Sequence, residues 1–502
     1  MVYLRNMIQK SLKLGKKKYE IILFLIIIFA LIIRLIFFVG FDWSDSPTYA
    51  WLANKMSSGN FNLGRDVFDF RVMMYFPIAL FFKLFGVNTY TATVWSLITS
   101  LGSIFIIYKI GELIFNKRVA LFSALLLSVF PIEIAYSTQL NPDVPFAFFI
   151  ALSIFLFLKN EKSKKSYKLF YILIGILGGI AYLFKETGMI VFFFFPVYII
   201  YKRKIKLEYF LILIGLFVVL FIESIYGFLF LNDFFARYHI VSEYYCEFWI
   251  KPVHDISSFP KLAFNLDNDW KFMYWNKQLL FGFFYYFLLL GTIYLLFRKQ
   301  KEVHVVLIWF LVFLLYMQFG FQCLNPLIPL HILERHFIIL NIPTTLIVSC
   351  FLDNLCKNKF LRILCILFLS FLIITSLYFV KNVVKRFNIE TTDFDVIYDF
   401  LKKQQVKGIY ADEGTVTQLN FRYEYKRIDS IKDLQNIKSC DEIKDSYVIV
   451  DGQRAWIENP SFASRLPKCI YEPPKNWVLL TTIKSVYREG INDRDPKIYY
   501  AP

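Results

Sequence analysis

The sequence has few charged residues and little metal-binding chemistry. Asp, Glu, Lys and Arg make up 19% of its 502 residues, and it holds only five histidines and seven cysteines. No spacing of cysteine and histidine resembles a zinc site. No internal repeat or low-complexity linker is present. These absences exclude a zinc domain, a repeat array and the composition of an ordinary soluble domain.

Apolar and aromatic residues are abundant instead, at 57% and 20% of the chain. The formal net charge is +17. The basic residues fall in short clusters between apolar runs, which is where cytoplasmic loops carry them. The sequence therefore predicts a polytopic membrane protein in the lipid bilayer, and its charge indicates topology rather than a nucleic-acid partner.

About eleven apolar runs have the length and composition of transmembrane helices, several of them short. They lie near residues 21–39, 91–107, 119–134, 144–158, 169–184, 189–201, 209–231, 279–297, 303–321, 337–352 and 360–380. The first run follows a basic segment and has no small-residue cleavage site, so we expect a permanent span rather than a removed signal. The N-terminus is then cytoplasmic.

The connections divide the chain into three regions. Residues 1–20 form a basic cytoplasmic segment, and 21–385 form the membrane domain. Counting spans from a cytoplasmic N-terminus places "KETG" at the outer tip of one hairpin and "PIEIAYSTQLNPD" at the tip of another. The same count places residues 386–502 outside the cell membrane. A mixed pattern there, with short apolar strands such as "GIYADEG" from residue 408 and "YVIVDGQ" from residue 447, predicts a small α/β domain.

Four cysteines are expected outside: Cys246, Cys323, Cys440 and Cys469. Cys440 and Cys469 both fall in the C-terminal domain, so a disulfide between them is a candidate on the oxidising side.

Ionisable residues from distant segments are expected at the same outer boundary. They are Asp42, Asp45, Glu133, Asp143, Lys185, Glu186, Glu334, Arg335 and His336. Such groups are costly beside hydrocarbon and usually meet each other or a substrate, so one outward cavity is expected. The alternative is that they are wetted helix ends. Glu223 lies within a predicted span and indicates either a functional cavity or a structural hydrogen bond.

Five stretches of this chain carry a resemblance to a known family. "DSPTYAWLANKMSSGNF" is similar to the first extracytoplasmic loop of the GT-C membrane glycosyltransferases, and "RVMMYFPIALFFKLFG" to the stretch that follows it. "IYKIGELIFNKRVALFSALLLSVFPIEIAYSTQLNPDVPFAFF" resembles a helical hairpin whose tip holds a Pro-Asp pair, and "YLFKETG" and "ERHFIILNIP" resemble later segments. The ordered set resembles the branch that includes protein O-mannosyltransferases and aminoarabinose transferases. The Trp-Trp-Asp-Tyr-Gly motif of the oligosaccharyltransferase branch is absent from the sequence.

The resemblance implies a GT-C-like α-helical fold and transfer of a sugar, with inversion, from a polyprenyl-phosphate donor to an acceptor on the outer face. Asp45, whose spacing to Tyr49 fits the motif best, is the expected general base, and Asp42 is the alternative. Expected substrate contacts are Lys185, Arg335, Asp143, Tyr49, Arg71 and Glu223. Lys185 and Arg335 resemble a phosphate clamp, although Lys185 has Glu186 as an alternative local partner. Asp143 has helix capping as its alternative. No cofactor is implied, and a divalent metal is not indicated.

Other classes remain open at this point. A flippase or transporter for a lipid-linked sugar also needs many spans and buried charges, but related halves are expected there and are not found. A polymerase or ligase of lipid-linked glycans is closer and differs in what is transferred. A purely structural membrane protein gives no reason for acids and cations to coincide on one side. The sugar and the acceptor are not specified by the sequence.

The topology is directly testable. We expect residues 45, 143, 185, 335 and the whole of 386–502 to face outward, and Lys164 and Lys204 to face the cytoplasm. Single cysteines introduced at these positions are labelled with a membrane-impermeant maleimide in intact cells. Labelling of positions 45 and 335 from opposite sides would contradict the shared cavity.

Overall fold

The structure, a computed structural model, describes residues 2–42, 45–164, 167–248, 283–298, 303–324, 327–330, 334–404, 407–437, 439–450, 473–484 and 495–502. Most of these residues are helical. The helices are α1 Val2–Ile36, α2 Ser46–Ser57, α3 Val72–Phe85, α4 Thr89–Ile114, α5 Lys117–Ser128, α6 Pro131–Tyr136, α7 Asp143–Lys162, α8 Lys168–Phe184, α9 Val191–Lys202, α10 Phe210–Leu231, α11 Ala236–Glu243, α12 Phe284–Leu296, α13 His304–Phe319, α14 Asn341–Leu355, α15 Lys359–Lys402 and α16 Glu413–Arg422.

Each predicted apolar run overlaps a helix in the described residues, although the run at 119–134 is divided between α5 and α6. Within the described residues, six helices are long and apolar enough to cross a membrane, and four shorter ones are apolar. The prediction of a polytopic α-helical membrane protein is therefore confirmed. The sequence analysis did not predict α3, an apolar helix that contains Pro77, as one of the runs.

The chain divides into two compact units. The first comprises Met1–Phe38, Asn62–Met74 and Val94–Val383, and it contains most of the apolar helices. The second comprises Val39–Phe61, Tyr75–Thr93 and Val384–Pro502. The segment of the first predicted loop that carries Asp42 and Asp45 therefore packs with the C-terminal residues. The three-region division at residues 20 and 385 stays a prediction.

In the first unit, glycines allow α8 and α10 to touch backbone to backbone. A Cβ on Gly175 would lie 2.0 Å from the carbonyl oxygen of Ile212, and one on Gly215 would lie 2.1 Å from that of Ile172. Small residues permit this close approach between membrane helices, where packing rather than the hydrophobic effect drives association. The contact fixes the end of α8, at Phe184, against the helix that carries Glu223.

A buried polar network also lies in the first unit. The guanidinium of Arg34 is fully buried and donates to Ser100 Oγ at 3.0 Å and to the carbonyl of Ser128 at 3.2 Å. Ser100 Oγ donates to Glu133 at 2.9 Å, and Asn341 Nδ2 donates to the same carboxylate at 3.3 Å. Glu133 is thus a buried partner of neighbouring helices rather than a wetted helix end.

The second unit contains the predicted α/β domain. Its strands are β3 Gly408–Ala411, β4 Ile431–Asp433, β5 Ser446–Val450, β6 Val478–Thr482 and β7 Lys497–Ala501, and a short hairpin of the first unit supplies β1 Phe321–Leu324 and β2 Leu327–Pro329. Among the described residues the order in the sheet is β4-β3-β5-β7-β6, with β3 parallel to β4 and β5, and β7 antiparallel to β5 and β6.

Alternation along the strands gives this sheet two apolar faces. Ile409 and Ile449 pack with Leu401 of α15 and Leu419 of α16 on one face. Tyr410, Val448 and Trp477 form the core on the other face. The short strands predicted near residues 408 and 446 and the fold class of the C-terminal region are therefore confirmed.

Two disulfide bonds join described cysteines that the sequence analysis did not pair. Cys246, directly after Tyr245, is bonded to Cys323 of β1. Both were expected on the oxidising side, but the pair was not singled out. Cys469 lies outside the described residues, so its bond to Cys440 stays a prediction. A second disulfide joins Cys356, which directly follows α14, to Cys365 in α15.

Substitution of Gly175 by alanine should destabilise the first unit. A methyl group cannot fit 2.0 Å from a carbonyl oxygen, so α8 and α10 must separate. Overpacking of this kind typically costs about 1–3 kcal/mol. We expect a lower midpoint of thermal unfolding in detergent for Gly175→Ala and for Gly215→Ala. Leu213→Ala on the exposed side of α10 is the control, and an equal loss there would contradict the close-packing argument.

Candidate functional site

Two adjacent residues of opposite charge stand at the break between α8 and α9. Lys185 ends α8 in an extended conformation, and Glu186 opens a 3₁₀ turn that runs to Ile190. Gly188 makes the turn possible, because a Cβ there would lie 2.4 Å from the backbone nitrogen of Tyr182. The predicted hairpin with "KETG" between two helices is therefore present.

Lys185 pairs with an acid from a distant segment. Its Nζ donates to Asp143 Oδ1 at 3.0 Å, and Arg335 Nε lies 3.6 Å from Asp143 Oδ2. The Asp143 side chain is 2% exposed, so two cations meet on one buried carboxylate. The alternative of a local pair between Lys185 and Glu186 is wrong. Asp143 is the first residue of α7, after Pro142 at the N-cap, so its carboxylate does not cap the helix.

Glu186 faces two other arginines. Arg71 Nη2 donates to Glu186 Oε2 at 2.9 Å, with Nε at 3.4 Å from Oε1. Arg237 Nη2 donates to Oε1 at 3.0 Å. Arg71 also donates to the hydroxyl of Tyr245 at 3.0 Å. One carboxylate thus joins the segment before α3, the α8–α9 turn and α11.

Glu223 completes this second cluster and lines a cavity. Arg237 Nη1 donates to Glu223 Oε1 at 2.5 Å, and the guanidinium lies 3.9 Å from the ring of Tyr182. Glu223 therefore makes a structural ion pair and also borders a cavity of about 290 Å³, whose functional role stays a prediction. The cavity wall is mostly aromatic and includes Phe70, Tyr182, Phe217, Phe221, Phe234, Phe235 and Tyr238.

The electrostatics of the turn follow from these partners. Burial opposes ionisation of Glu186, but Arg71 and Arg237 outweigh it and lower the pKa of that carboxyl to about 2. Burial also lowers the pKa of the Lys185 ammonium, and the nearby Asp143 offsets only part of this effect. Glu186 is accordingly held as a carboxylate at any physiological pH.

The remaining predicted site residues belong to the second unit. Asp45 stands at the N-cap position of α2, directly before the helix in which Pro47 occupies the first turn. Asp42 is 8% exposed, and its backbone carbonyl accepts a hydrogen bond from Gln418 Nε2 at 2.8 Å. Tyr49 is fully buried within α2. The structure does not test the catalytic or binding roles of these residues.

Sequence reasoning identified one cluster in full and the other in part. Lys185, Asp143 and Arg335 were all predicted and meet. Arg71 and Glu223 were predicted, but the residues that join them, Glu186 and Arg237, were not assigned a site role. The sequence feature that could have identified Arg237 is its place shortly after a predicted span that carries the acid Glu223. Among the described residues, no group of three or more His, Cys, Asp or Glu side chains is placed to hold a metal.

Comparison with known proteins agrees with this architecture. Residues 71–226 match the family described as dolichyl-phosphate-mannose-protein mannosyltransferase. A protein of Aquifex aeolicus described as uncharacterized is 25% identical over 328 residues. That match spans 62% of this chain and 61% of the relative.

Two solved structures are similar across most of the chain. ArnT from Cupriavidus metallidurans, bound to undecaprenyl phosphate, gives a TM-score of 0.59 at 12% identity and covers 95% of this chain and 97% of ArnT. The archaeal oligosaccharyltransferase AglB from Archaeoglobus fulgidus, with an inhibitory peptide and a dolichol-phosphate, gives 0.50 at 11% identity and covers 81% of this chain and 64% of AglB. The chain therefore has the fold of the GT-C membrane glycosyltransferases, as its sequence predicted, and is a multi-pass membrane protein.

Replacing Glu186 by glutamine should remove a pH-dependent part of the stability. The pKa of this carboxyl is lowered from 4.5 to about 2 in the fold. This corresponds to about 3 kcal/mol that is present above pH 4.5 and lost as the pH falls toward 2. We expect Glu186→Gln to unfold more easily in detergent at pH 7 and the difference from the parent to shrink below pH 4.5.

The control for this prediction is Glu112→Gln. Glu112 pairs with Lys109 at 3.3 Å, but both side chains are about one-third exposed, so the pair should contribute little. A Glu186→Gln deficit of the same size at pH 3 and pH 7 would show that the ion pairs are not its source.

Proposed function

We propose that this protein is a membrane glycosyltransferase that moves a sugar from a polyprenyl-phosphate donor to an acceptor on the extracytoplasmic face. The observation that carries the proposal is the meeting of Lys185 and Arg335 on Asp143, in a chain with the GT-C fold. The lipid phosphates bound to ArnT and AglB support the class of donor.

Charge balance distinguishes the two clusters. Lys185, Arg335 and Asp143 sum to one net positive charge, whereas Arg71, Arg237, Glu186 and Glu223 sum to zero. An excess cation near a low-dielectric boundary favours binding of an anion. Arg335 is suited to hold phosphate oxygens through its planar fork, and Lys185 acts as a point charge. The first cluster is therefore the proposed phosphate site, with Asp143 orienting its cations.

The proposed reaction is a direct displacement at the anomeric carbon. The acceptor hydroxyl attacks that carbon while its proton passes to the carboxylate of Asp45. The bond between the anomeric carbon and the phosphate oxygen breaks, and polyprenyl phosphate leaves with the electron pair. One displacement inverts the configuration. Cations fixed in place stabilise the charge that develops on the leaving phosphate.

Further substrate contacts belong to the same proposal. Arg71 and Glu223 are assigned to the donor for two reasons. Glu223 borders the aromatic cavity, and both residues belong to the cluster of Glu186, which directly follows Lys185 in the sequence. Tyr49 is assigned from its place four residues after Asp45 in the loop motif. Neither a metal nor a cofactor has a role in the proposed reaction.

Asp45→Asn tests the proposed base. Asparagine keeps the shape but cannot take the proton, and loss of general-base help typically costs about 10²- to 10⁴-fold in rate. A strain lacking the protein is complemented with each variant, and mass spectrometry follows its polyprenyl-phosphate sugars and surface glycans. We expect the donor to accumulate with Asp45→Asn as it does without the protein, although the variant is folded.

Asp42→Asn is the matched variant. A block by Asp42→Asn with normal transfer by Asp45→Asn would exchange the two roles. Parental transfer by both variants would remove the acids from the mechanism. Accumulation of no polyprenyl-phosphate sugar in the deletion strain would contradict the proposed donor, and a donor trapped on the cytoplasmic side would favour a flippase instead.

A further inference from the structure

The backbone of the first-loop acids is held by the C-terminal domain. Gln418, on α16, is 1% exposed, and its Nε2 donates to the carbonyl oxygen of Asp42 at 2.8 Å. The two residues are 376 positions apart in sequence. The bond fixes the backbone at Asp42, and Asp45 follows three residues later in the sequence.

A relay of hydrogen bonds sets the orientation of the Gln418 amide. Arg422 Nη1 donates to Gln418 Oε1 at 2.5 Å. Arginine has donors only, so the amide oxygen must face Arg422 and the NH₂ group must face the Asp42 carbonyl. Arg422 is itself fixed, because its Nε donates to Asp395 Oδ1 at 2.8 Å. The amide therefore has one satisfied orientation.

Aromatic contacts hold the loop on both sides of the acids. The rings of Phe41 and Phe421 stack with centroids 3.7 Å apart and an interplanar angle of 3°. Trp51 of α2 lies 5.4 Å from Tyr425. Both partners on the domain side flank the end of α16. Phe41 before Asp42 and Trp51 after Asp45 are thus contacted by α16, which carries Gln418, and by Tyr425 just beyond its end.

We propose that Gln418 is a positioning residue for the general base, acting through the backbone of Asp42. This inference rests on the proposed function, since it takes one of the first-loop acids as the base. A catalytic carboxylate must be held near its productive geometry, and a displacement of about 1 Å can cost about 100-fold in rate. A residue of the C-terminal domain then contributes to the reaction rate without contacting the substrate.

Two substitutions of Gln418 distinguish the loss of its hydrogen bonds from a change in side-chain volume. Gln418→Glu keeps an acceptor for Arg422 but places an oxygen against the Asp42 carbonyl, whereas Gln418→Met keeps the volume and removes both hydrogen bonds. Purified variants are assayed for transfer, and amide hydrogen exchange of residues 45–57 is followed by mass spectrometry. We expect kcat to fall roughly 5- to 100-fold, with KM for the donor unchanged and with faster exchange of that segment.

Thr417→Val is the control on the same helix, because the Thr417 hydroxyl bonds only within the helix turn, to the carbonyl of Gly414. It should keep the parental kcat and exchange. Parental kcat in both Gln418 variants overturns the proposal, even where Asp45→Asn is inactive and the base assignment stands. Equal loss of exchange protection in β3 and β5 also overturns it, because the domain itself would then be unfolding. Failure of both Asp42→Asn and Asp45→Asn to slow transfer contradicts the proposed function instead.

Discussion

The structure of the first unit depends on one constraint, which is that a charge buried beside apolar helices must meet an opposite charge. Lys185 and Glu186 are adjacent but pair with different partners. Lys185 pairs with Asp143, and Glu186 pairs with Arg71 and Arg237. Removing one partner of such a buried pair leaves an uncompensated charge and typically costs about 3–5 kcal/mol. The turn between α8 and α9 is therefore fixed on both sides, and it fixes the position of the Lys185 ammonium.

A disulfide bond lies next to the cluster that contains Arg71. Tyr245 accepts a hydrogen bond from Arg71, and the next residue, Cys246, is bonded to Cys323 in the hairpin of β1 and β2. That hairpin precedes the segment that supplies Arg335. Besides the Lys185–Glu186 turn, which both clusters share, a disulfide therefore holds the residues that follow α11 and contact Arg71.

The fold was largely predictable because each membrane helix is encoded locally. Apolar runs indicate the position and order of the membrane helices, and short apolar stretches near residues 408 and 447 indicate strands of the C-terminal sheet. Partners are not encoded in this way. Arg71 and Arg237 are 115 and 51 residues from Glu186, so their convergence depends on helix packing that the sequence pattern does not specify. The pairing of Cys246 was open for the same reason, since spacing does not determine connectivity.

Net formal charge distinguishes the proposed phosphate site from the balanced cluster where distance alone does not. The cluster of Arg71, Arg237, Glu186 and Glu223 is balanced, and adding a phosphate would place a third negative charge against two cations. Around Asp143 the excess is positive, so an entering phosphate would relieve it and compete with the carboxylate for Lys185 and Arg335. Glu186 therefore belongs to the balanced ion pairs that hold the fold, whereas Lys185 belongs to the cluster with excess positive charge, which is the proposed phosphate site.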